Sequence, residues 1–151
     1  MLLFGIVFAI LSLDQASKAF ISSRIQLNET LSVAKGIFGI TLVHNRGAAF
    51  GILRDQLYLF IIASCAAIVL IYFTLKNNRH NKYQVVCLSL ILAGALGNLI
   101  DRLRFGYVID FLNFYIWPVF NIADSAITVG AILLGWSILR QKSKVKSQNH
   151  E

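Results

Sequence analysis

The chain has 151 residues, of which 57% are hydrophobic and 14% are charged, and its formal net charge is +7. This composition is too apolar for a soluble domain of that size and predicts one integral-membrane domain over residues 1–151. The positive charge does not indicate nucleic-acid binding, because the basic residues flank apolar segments and form no stripe interleaved with aromatic side chains. Cys65 and Cys87 lie inside apolar runs, so they suggest neither a disulfide framework nor a thiolate metal site.

Four apolar segments are long enough to be membrane-spanning helices, since a helix rises about 1.5 Å per residue and the hydrocarbon core is about 30 Å thick. They cover residues 1–20, 57–75, 83–100 and 121–139, and a basic tail over residues 140–151 follows the last one. The first segment crosses the membrane only if it continues through Asp14 towards Phe20. A cleaved signal peptide is the alternative for this segment, but no Lys or Arg precedes its apolar run and no small-x-small cleavage site follows it.

The distribution of basic residues predicts the orientation. Three of them lie in the short connection between the second and third spans (Lys76, Arg79 and Lys82), and four follow the fourth span (Arg140, Lys142, Lys144 and Lys146). Basic residues are enriched in cytoplasmic loops, so both of these segments and both termini are expected on the cytoplasmic side. Basic residues in the long first outer loop weaken this bias without reversing it.

With this topology, polar residues that are distant in sequence meet at the outer ends of the spans. The residues concerned are Asp14, Asn45, Arg46, Asn98, Asp101, Asp110, Asn121 and Asp124. Four of the seven acidic residues of the chain lie in this set. A random distribution of acids would not be expected to favour one end of the bundle, so we predict a functional site at the outer face.

Two of these aspartates have a structural explanation in the sequence itself. Asp14 and Lys18 have the i, i+4 spacing of an ion pair on a helix surface, and we expect a supporting role for Asp14. Asp101 is followed by Arg102, with Arg104 close by, so a structural ion pair that keeps this carboxylate ionised is expected.

The other two aspartates are stronger candidates for chemistry. Asp110 lies among apolar residues with no cation next to it in sequence, and desolvation is expected to raise its pKa. Asp124 begins the fourth span, where a helix N-cap or first-turn carboxylate is the alternative explanation. An acid within an apolar span is nevertheless usually functional.

Two carboxylates that share one proton can hydrolyse a peptide bond, with one as the base for water and the other as an acid. The sequence contains no H-E-x-x-H motif and no G-x-S-x-G motif, and its three histidines are scattered. Neither a metal site nor a serine nucleophile is therefore predicted, and no cofactor is expected.

Five stretches of the sequence form a recognisable series: LDQASK (13–18), HNRGAAFGIL (44–53), GALGNLIDR (94–102), GYVIDF (106–111) and FNIADSAITVG (120–130). In this order they resemble the lipoprotein signal peptidase family, also called signal peptidase II. The resemblance covers nearly the whole chain except the tail. It implies an all-α membrane protein of four transmembrane helices with a small extracytoplasmic β-cradle, here over residues 31–53. It also implies an aspartic endopeptidase in the cytoplasmic membrane of a bacterium, which cuts prolipoproteins before a diacylglyceryl-modified cysteine.

By the same resemblance, the catalytic aspartates are Asp110 and Asp124. Supporting or substrate-binding residues around them are Asp14, Asn45, Asn98, Asp101, Arg102 and Asn121. Either Arg46 or Arg102 is expected to engage anionic lipid or to orient the substrate, and snorkelling to the interface is the alternative for both. The link from Asp110 to Asp124 is shorter than the family pattern, which leaves the geometry of the pair open.

The expected partners are lipidated prolipoproteins, which reach the site by lateral diffusion, and membrane lipids. A monomer is compatible with the sequence, which leaves the oligomeric state open. An ion-coupled transporter is the competing class, since it also uses carboxylates within the membrane, but here the acids gather at one interface. A noncatalytic scaffold gives no reason for that gathering.

Overall fold

A computed structural model describes residues 1–47, 52–77 and 81–148. Along the chain the elements are α1 (Leu2–Arg24), β1 (Thr30–Ala34), β2 (Phe38–Asn45), α2 (Leu57–Asn77), α3 (Lys82–Phe105), β3 (Val108–Asn113) and α4 (Ile122–Gln148). The prediction of four transmembrane helices and a small sheet is confirmed. Three predicted segments lie partly outside the described residues: the end of the cradle (48–51), the connection around Arg79 and the last residues of the tail (149–151).

Each helix contains a segment that is long and apolar enough to cross a membrane: Leu2–Arg24, Leu57–Lys76, Lys82–Phe105 and Ile122–Arg140. All four helices extend beyond the apolar runs that the sequence marked, because a helix satisfies its own backbone groups and can continue into the polar and charged residues that end a span. The basic tail begins as an extension of α4, which runs to Gln148.

The third helix is the central one, since it packs against α1, α2 and α4. In the apolar membrane-spanning segment of α3, half of the residues are buried inside the protein. In the corresponding segment of α2 only 6% are buried, and large side chains such as Tyr58 and Ile62 are exposed. Exposed apolar side chains on a spanning helix are matched to lipid tails, so little of the helix association comes from the hydrophobic effect. Close packing and polar contacts must hold the bundle together.

Glycines provide the close packing between α3 and α4. A Cβ atom on Gly94 would collide with the Ala123 carbonyl oxygen and lie 2.7 Å from the Ile127 Cγ1. On the other helix, a Cβ atom on Gly130 would lie 2.7 Å from the carbonyl oxygen of Cys87. Small residues at such positions let two helix backbones approach in a membrane. The approach brings the N-terminus of α4 against the middle of α3.

The three strands form one antiparallel sheet in the order β1-β2-β3. The first two strands lie in the predicted cradle, except that β1 begins one residue before it, at Thr30. The third strand, Val108–Asn113, was not predicted and was treated only as a motif around Asp110. It pairs with β2 so that Asp110 lies opposite Val43 and Val108 lies opposite Asn45. One face of the sheet packs on the end of α1 through a buried cluster that contains Ile21, Leu42, Ile109 and Phe111.

The turn between α3 and β3 depends on a glycine. Gly106 has a φ of 79°, in the left-handed region, and its N–H donates to the Arg102 carbonyl oxygen to end the helix. Glycine adopts this conformation without the cost that a Cβ atom imposes. The chain therefore leaves α3 and enters β3 within two residues, which places Asp110 directly above the end of the helix bundle.

Gly94→Ala is predicted to destabilise the protein, because the added methyl group must push α4 away from α3. Overpacking of this kind costs about 1–3 kcal/mol. Gly135→Ala is the matched control, since no atom lies within 4 Å of a Cβ at that position of α4. Thermal unfolding in detergent should show a lower Tm for Gly94→Ala than for Gly135→Ala, because both variants gain the higher helix propensity of alanine and only the first is overpacked. Equal Tm values for the two variants would contradict the close approach.

Candidate active site

The end of the bundle below the sheet contains a buried polar cluster. Its fully or nearly fully buried members are Asp14, Lys18, Asn98, Asp101, Asp110 and Asn121, each at most 6% exposed. Within the described residues, no buried side-chain nitrogen or oxygen lacks a hydrogen-bond partner. All of these residues except Lys18 were predicted as site residues, and Lys18 was considered only as an ion-pair partner of Asp14.

Lys18 forms ion pairs with two aspartates of this cluster. Its Nζ lies 2.8 Å from Asp14 Oδ2 and 2.8 Å from Asp101 Oδ2. Gln15 Nε2 adds a hydrogen bond of 2.9 Å to Asp101 Oδ1. The ion pair that the spacing of Asp14 and Lys18 predicted is confirmed, but it is buried inside the protein and is not exposed on the surface of a helix. The prediction that a neighbouring arginine pairs with Asp101 is wrong, because the packing of α1 against α3 brings Lys18 to this carboxylate.

The same two carboxylates also hold backbone groups of other elements. Asp14 Oδ1 accepts a hydrogen bond of 2.9 Å from the N–H of Ala123, in the first turn of α4. Asp101 Oδ2 accepts one of 3.1 Å from the N–H of Ile109, next to Asp110 in β3. These contacts bring α4 and β3, the two elements that carry the predicted catalytic residues, onto α1 and α3.

Asp110 accepts two hydrogen bonds from amide side chains. Asn45 Nδ2 donates to its Oδ2 at 2.8 Å, and Asn121 Nδ2 donates to its Oδ1 at 2.6 Å. The residue is 1% exposed. Burial, together with the negative charge of Asp124, raises the pKa of Asp110 to about 7, although the two amide donors oppose this shift. The predicted effect of desolvation is therefore present, and the group can hold a proton at neutral pH.

Asp124 has the helix-capping role that the sequence offered as an alternative, in addition to its place in the cluster. Its N–H donates to Asn121 Oδ1 at 2.8 Å, and its Oδ2 accepts from the Asn121 N–H at 3.3 Å. This reciprocal pair is a capping box at the start of α4. Its other oxygen, Oδ1, accepts a hydrogen bond of 2.7 Å from Asn98 Nδ2. The cap thus fixes the carboxylate beside Asp110.

A cavity of about 380 Å³ opens onto both aspartates. Its lining includes the polar residues Asn45, Asn98, Arg102, Asp110 and Asp124 and the apolar residues Phe60, Val108, Trp117, Val119, Phe120 and Ile127. A mostly apolar cavity with a few convergent polar groups is typical of a substrate site. The apolar wall was not predicted, because its residues come from α2, from β3, from the segment before α4 and from α4 itself, and no single motif contains them.

The two candidate arginines have different positions. Arg102 lines the cavity, and its guanidinium lies 4.7 Å from the centroid of the Phe60 ring. Arg46 is 61% exposed and lies 4.0 Å from Asp55, and it is not one of the residues that line the cavity. The structure therefore associates Arg102, and not Arg46, with the two aspartates.

Within the described residues, no group of three or more His, Cys, Asp and Glu side chains is arranged to hold a metal ion. The carboxylates are instead surrounded by N–H donors, which stabilise negative charge on oxygen. Such an arrangement can bind a polar substrate group and transfer protons. It offers two carboxyl groups in one cavity, one of which holds a proton up to about pH 7.

The raised pKa of Asp110 has a consequence for stability. The unfolded carboxyl ionises near 3.8 and the folded one near 7, so folding binds a proton between these values and stability falls as pH rises through this window. Asp110→Asn removes the titrating group and keeps its shape. The Tm of this variant should rise relative to wild type from pH 4 to pH 7 and then stay level, as measured by thermal unfolding in detergent. A Tm difference that is independent of pH would contradict the raised pKa.

Comparisons with known proteins agree with this geometry. Residues 6–140 match the family described as Signal peptidase (SPase) II. The lipoprotein signal peptidase of Halothermothrix orenii is 44% identical over 129 residues, which cover 85% of this chain and 89% of that protein. The lipoprotein signal peptidase of Moorella thermoacetica is 46% identical over 131 residues, covering 86% and 87%.

The fold has a solved counterpart as well. A bacterial membrane enzyme whose structure was determined by the in meso method superposes with a TM-score of 0.90 at 33% sequence identity, covering 94% of this chain and 90% of that one. The sequence match extends over α2 and α3 completely, over most of α1 and over α4 as far as Arg140, together with all three strands. The chain therefore belongs to the signal peptidase II family of lipoprotein signal peptidases.

Proposed function

We propose that this protein removes signal peptides from prolipoproteins, and that Asp110 and Asp124 are the catalytic pair. The family is one of membrane peptidases, so hydrolysis of a peptide bond is the established class of reaction. The observation that supports the choice of residues is the cavity, which both carboxyl groups line.

The chemistry needs one proton shared by two carboxyl groups. The ionised carboxylate takes a proton from water as the water oxygen attacks the scissile carbonyl carbon, and the protonated carboxyl gives its proton to the carbonyl oxygen. The tetrahedral intermediate then breaks its C–N bond, the leaving nitrogen takes a proton, and the pair returns to one proton. Burial and the nearby Asp124 charge let Asp110 hold a proton at the pH at which an ordinary aspartate is ionised.

The surroundings of the cavity suit a substrate that arrives from the lipid phase. Phe60 on α2 and Ile127 on α4 provide apolar walls, and both helices expose apolar side chains to the surrounding lipid. An acyl chain contributes about 0.8 kcal/mol of binding for each methylene that it buries. Arg102 adds a positive charge beside the aspartates and can orient a polar head group or a backbone carbonyl of the substrate.

Asp110→Asn and Asp124→Asn are each predicted to lower the initial cleavage rate by about 10³-fold, because a single carboxyl group cannot act as the base and the acid at the same time. The double substitution should add little, since residues that act as a unit are not additive. Asp101→Asn should retain part of the activity, because it weakens the contact with Lys18 without removing a catalytic group.

The measurement compares initial rates on a lipidated prolipoprotein at matched membrane levels of each variant. Asn has the shape of Asp, so the variants should reach the membrane and bind substrate. High activity in Asp110→Asn, with complete loss in Asp101→Asn, would show that Asp124 has a different partner.

Cleavage is predicted to depend on the lipid of the substrate. A precursor without the diacylglyceryl group loses the apolar anchoring that holds its cysteine in the cavity, so its cleavage should nearly disappear. Paired rate measurements on lipidated and unlipidated forms of one precursor test this, with cleavage of both forms by an unrelated soluble protease as the control for accessibility. Equal rates for the two forms would rule out a role for the lipid.

We also propose that both termini are cytoplasmic and that the site opens at the outer face of the bacterial membrane. This rests on the basic residues around Lys76 and after Arg140. In a chain whose Cys65 and Cys87 are replaced, Ser32→Cys in β1 should react with a membrane-impermeant thiol reagent on intact cells. Ser143→Cys in the tail should react only after the cells are opened. The reverse pattern would invert the orientation.

A further inference from the structure

Three asparagine side chains connect the cluster, and in each the direction of the amide is determined by its partner. Asn98 Oδ1 accepts from Lys18 Nζ at 3.2 Å. An ammonium group can only donate, so the oxygen of this amide must face Lys18. The Nδ2 of Asn98 must then point the other way, where it donates to Asp124 Oδ1 at 2.7 Å.

The other two amides are oriented by backbone N–H groups. Asn121 Oδ1 accepts from the N–H of Asp124, and Asn45 Oδ1 accepts from the N–H of Gly47 at 2.9 Å. Backbone N–H groups also only donate, so the Nδ2 groups of both asparagines face Asp110.

The two carboxyl groups of the pair are therefore not equivalent. Asp124 is joined to a buried cation through a single amide, since Lys18 polarises Asn98 and Asn98 donates to Asp124. Hydrogen bonds in a chain polarise one another, and a charge at the end of the chain strengthens the donor at the other end. Asp110 receives its hydrogen bonds from two amides whose oxygens accept from backbone N–H groups and not from Lys18. The Nδ2 of one of them, Asn121, also donates to Asn98 Oδ1 at 3.1 Å, so this amide shares an acceptor with Lys18 and is not polarised by it towards Asp110.

We propose that Lys18 is a positioning residue that acts through Asn98 to keep Asp124 ionised, so that the shared proton of the pair resides on Asp110. This inference rests on the proposed function of the two aspartates. It assigns their roles: Asp124 is the base that takes a proton from water, and Asp110 is the acid that protonates the scissile carbonyl oxygen.

The proton balance follows from these roles. As the water oxygen bonds to the carbonyl carbon, one water proton moves to Asp124 and the Asp110 proton moves to the carbonyl oxygen. When the C–N bond breaks, Asp124 gives its proton to the leaving nitrogen, and a hydroxyl of the intermediate returns a proton to Asp110 as the new carboxyl group forms. The pair ends the cycle in the state in which it began, with one water consumed.

Among the described residues, the charged groups around the pair come from four elements. Lys18 and Asp14 belong to α1, Asp101 and Arg102 to α3, Asp110 to β3 and Asp124 to α4. The strand β2 contributes the neutral Asn45, and α2 contributes Phe60. Lys18 is held between Asp14 and Asp101 at 2.8 Å from each, so its position is set independently of the pair that it influences. The raised pKa of Asp110, about 7, agrees with a proton on this residue.

The test is a site-specific titration that needs no substrate. Carboxyl carbons are followed by NMR in protein labelled at aspartate, with each resonance assigned by its loss in an Asp→Asn variant. In wild type, Asp110 should titrate at higher pH than Asp124. Asn98→Ala breaks the connection but leaves both ion pairs of Lys18 in place, and Asn121 Nδ2, which loses Asn98 as an acceptor, keeps Asp110 and the Ile109 carbonyl oxygen. This variant is therefore expected to fold. In Asn98→Ala, the difference between the titration midpoints of Asp110 and Asp124 should decrease by about one pH unit, which is a tenfold change in their relative proton affinity.

Further variants separate charge from structure. Lys18→Met should narrow the separation as Asn98→Ala does, and Lys18→Arg should restore most of it by restoring the cation. Gln15→Leu is the matched control: Gln15 donates to Asp14, Asp101 and the Gly97 carbonyl oxygen and makes no described contact with the pair. It should lower stability and leave the separation unchanged.

A wild-type protein in which Asp110 titrates below Asp124 would overturn the inference, as would a separation that Asn98→Ala leaves intact. The titration does not depend on cleavage, so the two proposals can fail independently. If only the proposed peptidase activity is wrong, the wild-type protein will titrate as expected but will not cut prolipoprotein.

Discussion

A buried ammonium group between two buried carboxylates is the contact on which the rest of this structure depends. Lys18 lies 2.8 Å from an oxygen of Asp14 and 2.8 Å from an oxygen of Asp101, and none of the three side chains is more than 2% exposed. Charges within a membrane bundle are costly unless they are paired, and the cost of losing one partner exceeds the gain from the pair. Further hydrogen bonds from Ala123 and Ile109 tie α4 and β3 to the same carboxylates. The elements α1, α3, α4 and β3 must therefore keep this relative position for the buried charges to stay paired and hydrogen-bonded.

The catalytic proposal depends on that arrangement in two ways. The bundle has little hydrophobic driving force between its helices, so glycine contacts such as those of Gly94 and the polar cluster determine how α3 and α4 meet. The cluster also turns the amides of Asn98 and Asn121 so that N–H groups face the two catalytic candidates. A preorganised set of donors does not need to reorient during the reaction, which is the main way in which polar sites lower a barrier.

The clustering of charge at one end of the bundle also argues against an ion-coupled transporter. Within the described part of the spanning helices, the acidic residues are Asp14, Asp101 and Asp124, and all three belong to the buried cluster or to the cavity above it. A transport path needs polar groups at successive depths of the membrane. A peptidase needs them only where the scissile bond is held.

Much of the fold could be predicted from the sequence, because each span is a long apolar run and a helix satisfies all its backbone groups locally. The gathering of aspartates also followed from topology alone. In addition to the apolar wall of the cavity, two features could not be predicted. The strand Val108–Asn113 pairs with β2 from more than 60 residues away, and its sequence lacks an alternating pattern. The true partner of Asp101 is Lys18, 83 residues earlier, whereas the sequence offers Arg102 next to it. Contacts that depend on tertiary packing leave no local signal.

The pH dependence of prolipoprotein cleavage tests the central claim most directly, since that claim is a pair of carboxyl groups that works with one proton. Initial rates for the wild-type protein on a lipidated substrate should form a bell. The rate should rise as the first carboxyl ionises and fall again above about pH 7, where Asp110 gives up its proton. A rate that stays constant or continues to rise up to about pH 9 would show that catalysis proceeds with both aspartates ionised, and it would contradict the shared-proton account.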